Sequence, residues 1–125
     1  MKIKSKSAAM PSLLPRFRVM RGEEIAFGPG KMELLDLVAE TGSIGKAAKR
    51  MDMSYMRAWS LIQTMNTCFK DPVIEAARGG HERGGAKLTG TGRQVLRLYR
   101  QMEADGRKAV QADWQALQKL LQTKS

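Results

Sequence analysis

The sequence predicts a mainly α-helical chain that carries one small β-hairpin and ends in a long C-terminal helix. Three observations predict it. Apolar residues recur at three- and four-residue steps in separate segments before residue 67. Two short runs of β formers flank the glycine pairs Gly79-Gly80 and Gly84-Gly85. Helical apolar spacing then returns and holds from Val95 to Leu121. At 125 residues, 42% of them hydrophobic, the chain can build a single modest core, and wholesale disorder is not expected.

Each element follows from local signals. Residues 1–15 mix Ser, Lys and two prolines without periodicity and read as a flexible basic arm. Phe17 and Val19, then Ile25 and Phe27, alternate with polar neighbours about Gly22-Glu23-Glu24, as in a short hairpin. Gly28-Pro29-Gly30 interrupts that pattern. Over residues 31–40, Met32, Leu35, Val38 and Ala39 define an amphipathic helix, which Gly42 is suited to end. Ser43 is the expected cap of a second, short helix over residues 44–51, with Ala47 and Ala48 inside. The chain breaks at Met51-Asp52-Met53, where Asp tolerates the left-handed backbone that a sharp turn can require. Ser54 caps a third helix reaching about residue 66, with Ala58, Ile62 and Met65 as its buried stripe.

Beyond Asp71-Pro72, residues 73–77 read as a strand, residues 79–85 as a flexible tip, and residues 86–88 as the returning strand. Thr89 is placed to cap the final helix. Val95, Leu98, Tyr99, Met102, Val110, Trp114, Leu117 and Leu121 keep helical spacing along it, and at ~1.5 Å per residue it could reach roughly 45 Å. That is longer than the core of so small a domain needs. Gly106 lies in its middle, less favourable there than Ala by ~1 kcal/mol, and marks a kink or a close helix crossing. The expected organisation is an arm over residues 1–15, a helical domain with its hairpin over 16–89, and a C-terminal helix over 90–125.

Charge and cysteine usage bound the partners. Lys plus Arg number 22 against 12 Asp plus Glu, a net charge of +10, which favours a polyanion such as nucleic acid over a merely soluble basic surface. Cys68 stands alone, so neither an internal disulfide nor a multi-cysteine zinc site can form, and a reduced, cytoplasmic location fits. The start of the chain is basic, with Lys2, Lys4 and Lys6. Its apolar stretch is too short and too broken by Pro11 and Pro15 for a signal peptide, and no run approaches the ~20 apolar residues of a membrane span. His81 is the only histidine and has no neighbouring Cys or His, which argues against a metal ligand or catalytic base. No cofactor, metal or enzyme signature is found: there is no nucleotide-binding glycine motif and no nucleophile with a histidine partner.

Three helices, the second and third separated by a three-residue break, followed by a β-hairpin, give the order of a winged helix-turn-helix. Small Ala47 and Ala48 let the third helix cross close over the second. The capped start of the third helix leaves amides that suit a phosphate or a base edge. With Ala58, Ile62 and Met65 turned inward, Tyr55, Met56, Ser60 and Gln63, with Arg57 at the flank, are left for the major groove of double-stranded DNA. Trp59 either stacks near the DNA backbone or packs.

Thr41-Gly42-Ser43-Ile44, Ala47-Ala48-Lys49, Met53-Ser54-Tyr55, Ala58-Trp59 and Met65-Asn66 resemble the N-terminal DNA-binding domain of the molybdate-responsive regulator (ModE) family. Arg78-Gly79-Gly80, Gly84-Gly85-Ala86 and Leu88-Thr89 are similar to that family's glycine-rich wing and the start of its last helix. The Ala-Ala pair and Leu88-Thr89 followed by Gly92 bear a more distant likeness to LysR-type DNA-binding domains. The resemblance spans about residues 16–105. It implies a homodimer joined outside the reading head, with the third helix in the major groove and the wing beside it. Met56 departs from the lysine usual in the family at this place, and Ser125 leaves no room for molybdate-binding domains, so DNA binding is carried over and molybdate sensing is not.

The expected DNA contacts are therefore Ser43, Ser54, Tyr55, Met56, Arg57, Ser60 and Gln63, with Arg78, His81, Arg83 and Lys87 on or beside the wing. Val95, Tyr99, Met102, Val110, Trp114, Leu117 and Leu121 are expected to join two subunits, since a bare apolar stripe would leave a large patch in water. The leading expectation is a homodimeric transcription regulator without a cofactor; a small-molecule or oxyanion effector stays open but is not indicated. Two alternatives stay open: an architectural DNA-binding protein with little sequence preference, and a module that binds another protein or RNA.

Overall fold

The computed structural model describes residues 10–77 and 85–122. Arg16–Gln101 form one unit, and Met1–Pro15 with Met102–Ser125 form a second. In the first unit the chain begins with an antiparallel hairpin, β1 (Val19–Arg21) and β2 (Glu24–Phe27), turning at Gly22 with φ +66°. Then come α1 (Pro29–Thr41), α2 (Ile44–Arg50) and α3 (Tyr55–Cys68). A second hairpin follows, β3 (Ile74–Ala76) and β4 (Ala86–Leu88), and leads into α4 (Gly90–Ala109). This is the expected winged helix-turn-helix order. β3 is one residue shorter at each end than the strand expected over 73–77, with Val73 and Ala77 flanking it, while β4 spans the expected 86–88.

Local signals explain the helix ends. Gly42 closes α1 in the left-handed region, φ 70°, and its N–H donates to Val38 O at 2.8 Å. The Ser43 and Ser54 hydroxyls accept from the N–H groups of Lys46 and Arg57, each at 3.0 Å, and so cap α2 and α3 as expected.

The core gathers around α1, which packs against α2 and α3 on one side and against β4 on the other. Both Leu34 and Leu35 are therefore fully buried although they point about 100° apart on the helix. The narrower stripe read from Met32, Leu35, Val38 and Ala39 misses Leu34, and Ala39 is exposed. Phe27 reaches from β2 to meet Tyr99 and Phe69 edge to face, with ring centroids 5.0 and 6.3 Å apart.

The start of α4 is locked to the segment before β3. Thr89 Oγ1 donates to Pro72 O at 2.6 Å and accepts from Gly92 N at 2.9 Å, while Thr89 N donates to Val73 O at 3.0 Å. A Cβ on Gly92 would stand 2.1 Å from Val73 O, so only glycine allows this approach. The buried stripe of α4 runs through Gly92, Leu96 and Tyr99, whereas Leu98 is exposed. The helix carries apolar residues on two faces, and packing against the domain selects the one with Leu96.

The continuous final helix read from Val95 to Leu121 is corrected by the structure. In the second unit α4 stops at Ala109, and α5 (Gln111–Gln118) follows. The break is Val110, at φ −104° and ψ 8°, not Gly106. A β-branched residue is a weak helix former, and α5 buries no residue that could hold the backbone in register through it.

Candidate nucleic-acid interface

The reading head is built from α2, the turn after it, and α3. Asp52 takes φ 57°, the one left-handed non-glycine residue among those described, and Met53 N donates back to Ala48 O at 3.0 Å. That tight turn lets the small, buried Ala47 and Ala48 sit under α3, which turns Ala58, Ile62 and Met65 inward. Helical geometry then divides the rest of α3 into an outward face and two flanks. Met56, Ser60 and Gln63 are exposed on the outward face, Met56 at 66%. Tyr55 and Trp59 lie on the flank toward the second hairpin, and Arg57 and Leu61 on the opposite flank.

The wing stem is held in place by its own pairing, by the α1–α2 turn and by the end of α3. Its strands pair Ile74 with Leu88, Glu75 with Lys87 and Ala76 with Ala86. Ala86 N donates to Gly42 O at 3.0 Å, and Ser43 bridges to Gly85, which ties the stem to the α1–α2 turn. Asn66, at the end of α3, accepts from Val73 N at 2.8 Å and donates to Ile74 O at 3.2 Å, so its amide acts as a short piece of strand. Between α3 and the stem lies a cleft of about 280 Å³, lined by Tyr55, Trp59, Gln63, Asn66 and Glu75.

The structure thus brings Tyr55, Met56, Arg57, Ser60 and Gln63 onto one helix beside the wing stem. Ser43 and Ser54 stand at two helix N-termini; their oxygens are engaged as caps, and each hydroxyl keeps its hydrogen to donate. Lys87 is exposed on the stem but stands apart from α3. It faces Glu75 at 3.9 Å and lines a different cleft with α1 and α4. An ion pair this exposed contributes little. Arg78, His81 and Arg83 lie outside the described residues.

Two residues expected to join subunits belong instead to their own domain. Tyr99 is 2% exposed, meets Phe27 edge to face and donates its hydroxyl hydrogen to Phe17 O at 2.6 Å. Val95 packs against the same core. The Tyr99 surface is thus consumed within the chain, whereas Val95 is only partly buried. Met102, Val110, Leu117 and Leu121 remain exposed, and Trp114 is half-buried.

Asn66 is the functional support that sequence reasoning missed. Its only local sign was a polar residue one turn beyond Ile62, on the half-buried side of α3. Behind α3, Lys31 Nζ donates to Ile25 O at 2.8 Å, and burial draws its pKa below the ordinary lysine value. Cys68 Sγ donates to Glu24 Oε1 at 3.5 Å; burial first, then that carboxylate, raises the thiol pKa. Among the described residues no group of three His, Cys, Asp or Glu could hold a metal ion, and no helix is long and apolar enough to cross a membrane.

Residues 30–93, about half of the chain, match the family of bacterial regulatory helix-turn-helix proteins, lysR family. The molybdenum transport protein ModE of Azotobacter vinelandii is 32% identical over 111 residues, 80% of this chain and 41% of that protein. The molybdenum-pterin-binding protein MopB of Rhodobacter capsulatus is 40% identical over 77 residues, 62% of this chain and 28% of that protein. The DNA-binding transcriptional dual regulator ModE of Escherichia coli K12 is 39% identical over 71 residues, 57% of this chain and 27% of that protein. The chain spans less than half the length of each of these relatives. The crystal structure of the CbnR DNA-binding domain with DNA superposes with a TM-score of 0.53 at 24% identity, over 70% of this chain and 95% of that one, which shows a shared fold. The family match covers the capped helices, the left-handed turn, the wing stem and the Thr89–Gly92 lock together, and the chain belongs to the lysR family of bacterial regulatory helix-turn-helix proteins.

Proposed function

We propose that the chain is a sequence-specific DNA-binding transcription regulator that acts as a homodimer, with α3 in the major groove and the wing on the backbone or in the minor groove. The observation that carries this reading is the outward face of α3. Met56, Ser60 and Gln63 stand exposed above a capped helix N-terminus, and Arg57 flanks them. A helix so presented fits a groove about 12 Å wide, and its side chains offer both hydrogen bonds and apolar contact to base edges. The exposed Met102, Val110, Leu117 and Leu121 support a second copy as partner, since two subunits would cover what one leaves in water. In such a dimer the two α3 helices lie ~34 Å apart, one turn of the duplex.

The reading takes DNA binding from the relatives and not the molybdenum chemistry in their names, because the matched residues 30–93 are the helix-turn-helix itself. The test is capture of sheared genomic DNA by the purified protein at about 0.15 M salt, followed by sequencing of what is retained. Enrichment of a few fragments sharing a two-fold motif supports a regulator. Even retention across the genome would replace it with an architectural protein, and no retention would end the DNA reading. Sedimentation showing only a monomer would remove the dimer.

A further inference from the structure

We propose that the flank of α3 opposite the wing is a second phosphate clamp, in which Arg16, Arg18, Lys31 and Arg57 grip the DNA backbone on the far side of the major groove. The inference rests on the DNA-binding reading above and says where the second backbone passes. The four cations line one cleft of about 350 Å³, formed by the segment before β1, the start of α1 and the N-terminal half of α3. No carboxylate lines it. Among the described residues, none of the three arginines is in an ion pair. The carboxylate of Glu24, which acts on Lys31, accepts from Cys68 and does not line the cleft.

Four like charges gathered around one hollow make it attractive to an anion; burial lowers the Lys31 pKa first, Cys68 and Glu24 act to raise it, and the Arg57 charge adds the smallest lowering. Position selects the anion. Arg57 sits one turn from Leu61 on the flank of α3 that faces away from Tyr55, Trp59 and the wing stem. A helix lying in the major groove has a phosphate backbone on either side, so the wing meets one strand and this cleft meets the other. Arg18 borders the first turn of α1: its Cγ lies 3.4 Å from where a Cβ of Gly28 would stand, an ordinary contact distance.

The test is the salt dependence of binding to a 30-base-pair mixed-sequence duplex, measured for the full chain and for Arg16→Ala/Arg18→Ala. Both arginines are exposed, so the fold is retained. Loss of two phosphate contacts makes the slope of log K against log salt shallower by about 2, with equal weakening on all sequences. A charge-matched control, Lys70→Ala/Arg97→Ala, removes two exposed cations outside this cleft and is expected to keep the slope of the unaltered chain. An unchanged slope in the first variant, or the same change in both, overturns the clamp while DNA binding stands. An unaltered chain that fails to bind the duplex overturns both.

Discussion

The domain of Arg16–Gln101 and the helical segment that follows are both rich in apolar residues, yet they use them in opposite ways. In the first, Leu34, Leu35, Val38, Met65 and Val73 are wholly buried within one chain. In the second, α5 has no buried residue, Leu117 standing at 52% exposure, and Leu120 just beyond the helix is at 85%. Helical spacing alone does not distinguish these cases. A stripe becomes core only where another element of the same chain covers it, and α1 is packed by helices and a strand whereas no residue of α5 is covered fully.

Substitutions can break that contrast, beginning with the largest expected effect. Leu35→Ala is expected to destabilise the domain by about 2–5 kcal/mol, because it opens a cavity between packed helices. Leu117→Ala, the same chemistry on α5, should fall within about 0.5 kcal/mol. Denaturant unfolding of the two variants measures the difference; equal losses would mean that α5 has a packed environment after all. Gly92→Ala comes next, at roughly 3 kcal/mol, since its Cβ meets the Val73 carbonyl and α4 must shift away from β3. Thermal unfolding should show a matching fall in Tm.

Asn66→Ala should destabilise by about 1–3 kcal/mol, leaving Val73 N and Ile74 O without their side-chain partner. It should also loosen the wing stem, which hydrogen exchange at Ile74 and Lys87 would report. The smallest effect concerns Cys68. Its raised pKa means the folded state favours the thiol, so its contribution to stability is present below the ordinary thiol range and is lost as pH climbs through the raised value. At pH 8 the thiol should react more slowly than a free cysteine with a thiolate-selective disulfide reagent, and Glu24→Gln should speed it a few-fold. No change in rate on that substitution would discount the Glu24 contact.

Much of the first region was legible in the sequence because its determinants are local. Ser43 and Ser54 cap helices wherever the chain goes, Gly42 and Asp52 adopt the left-handed backbone their residue types allow, and the stripe Ala58, Ile62, Met65 needs only helical phase. The remainder depends on contacts across the fold. Which apolar face of α4 is buried is decided by the packed domain, which selects Leu96 and leaves Leu98 in solvent. Gly92 and Asn66 matter through Val73 and Ile74, residues that no local pattern links to them. Tyr99 fits a stripe running toward Leu121 by spacing, yet its ring is held by Phe27 and its hydroxyl by Phe17. Val110, 41% exposed, ends α4 where no buried residue overrules its weak propensity.

The central claim is that the outward face of α3 reads base sequence. The most direct measurement repeats the genomic capture with Ser60→Ala/Gln63→Ala, two exposed positions outside the core, the caps and the arginine cleft. The account predicts that retention at low salt persists through the phosphate contacts while the shared two-fold motif is lost or changed. Recovery of the same motif with undiminished preference would contradict it and move sequence reading to the wing.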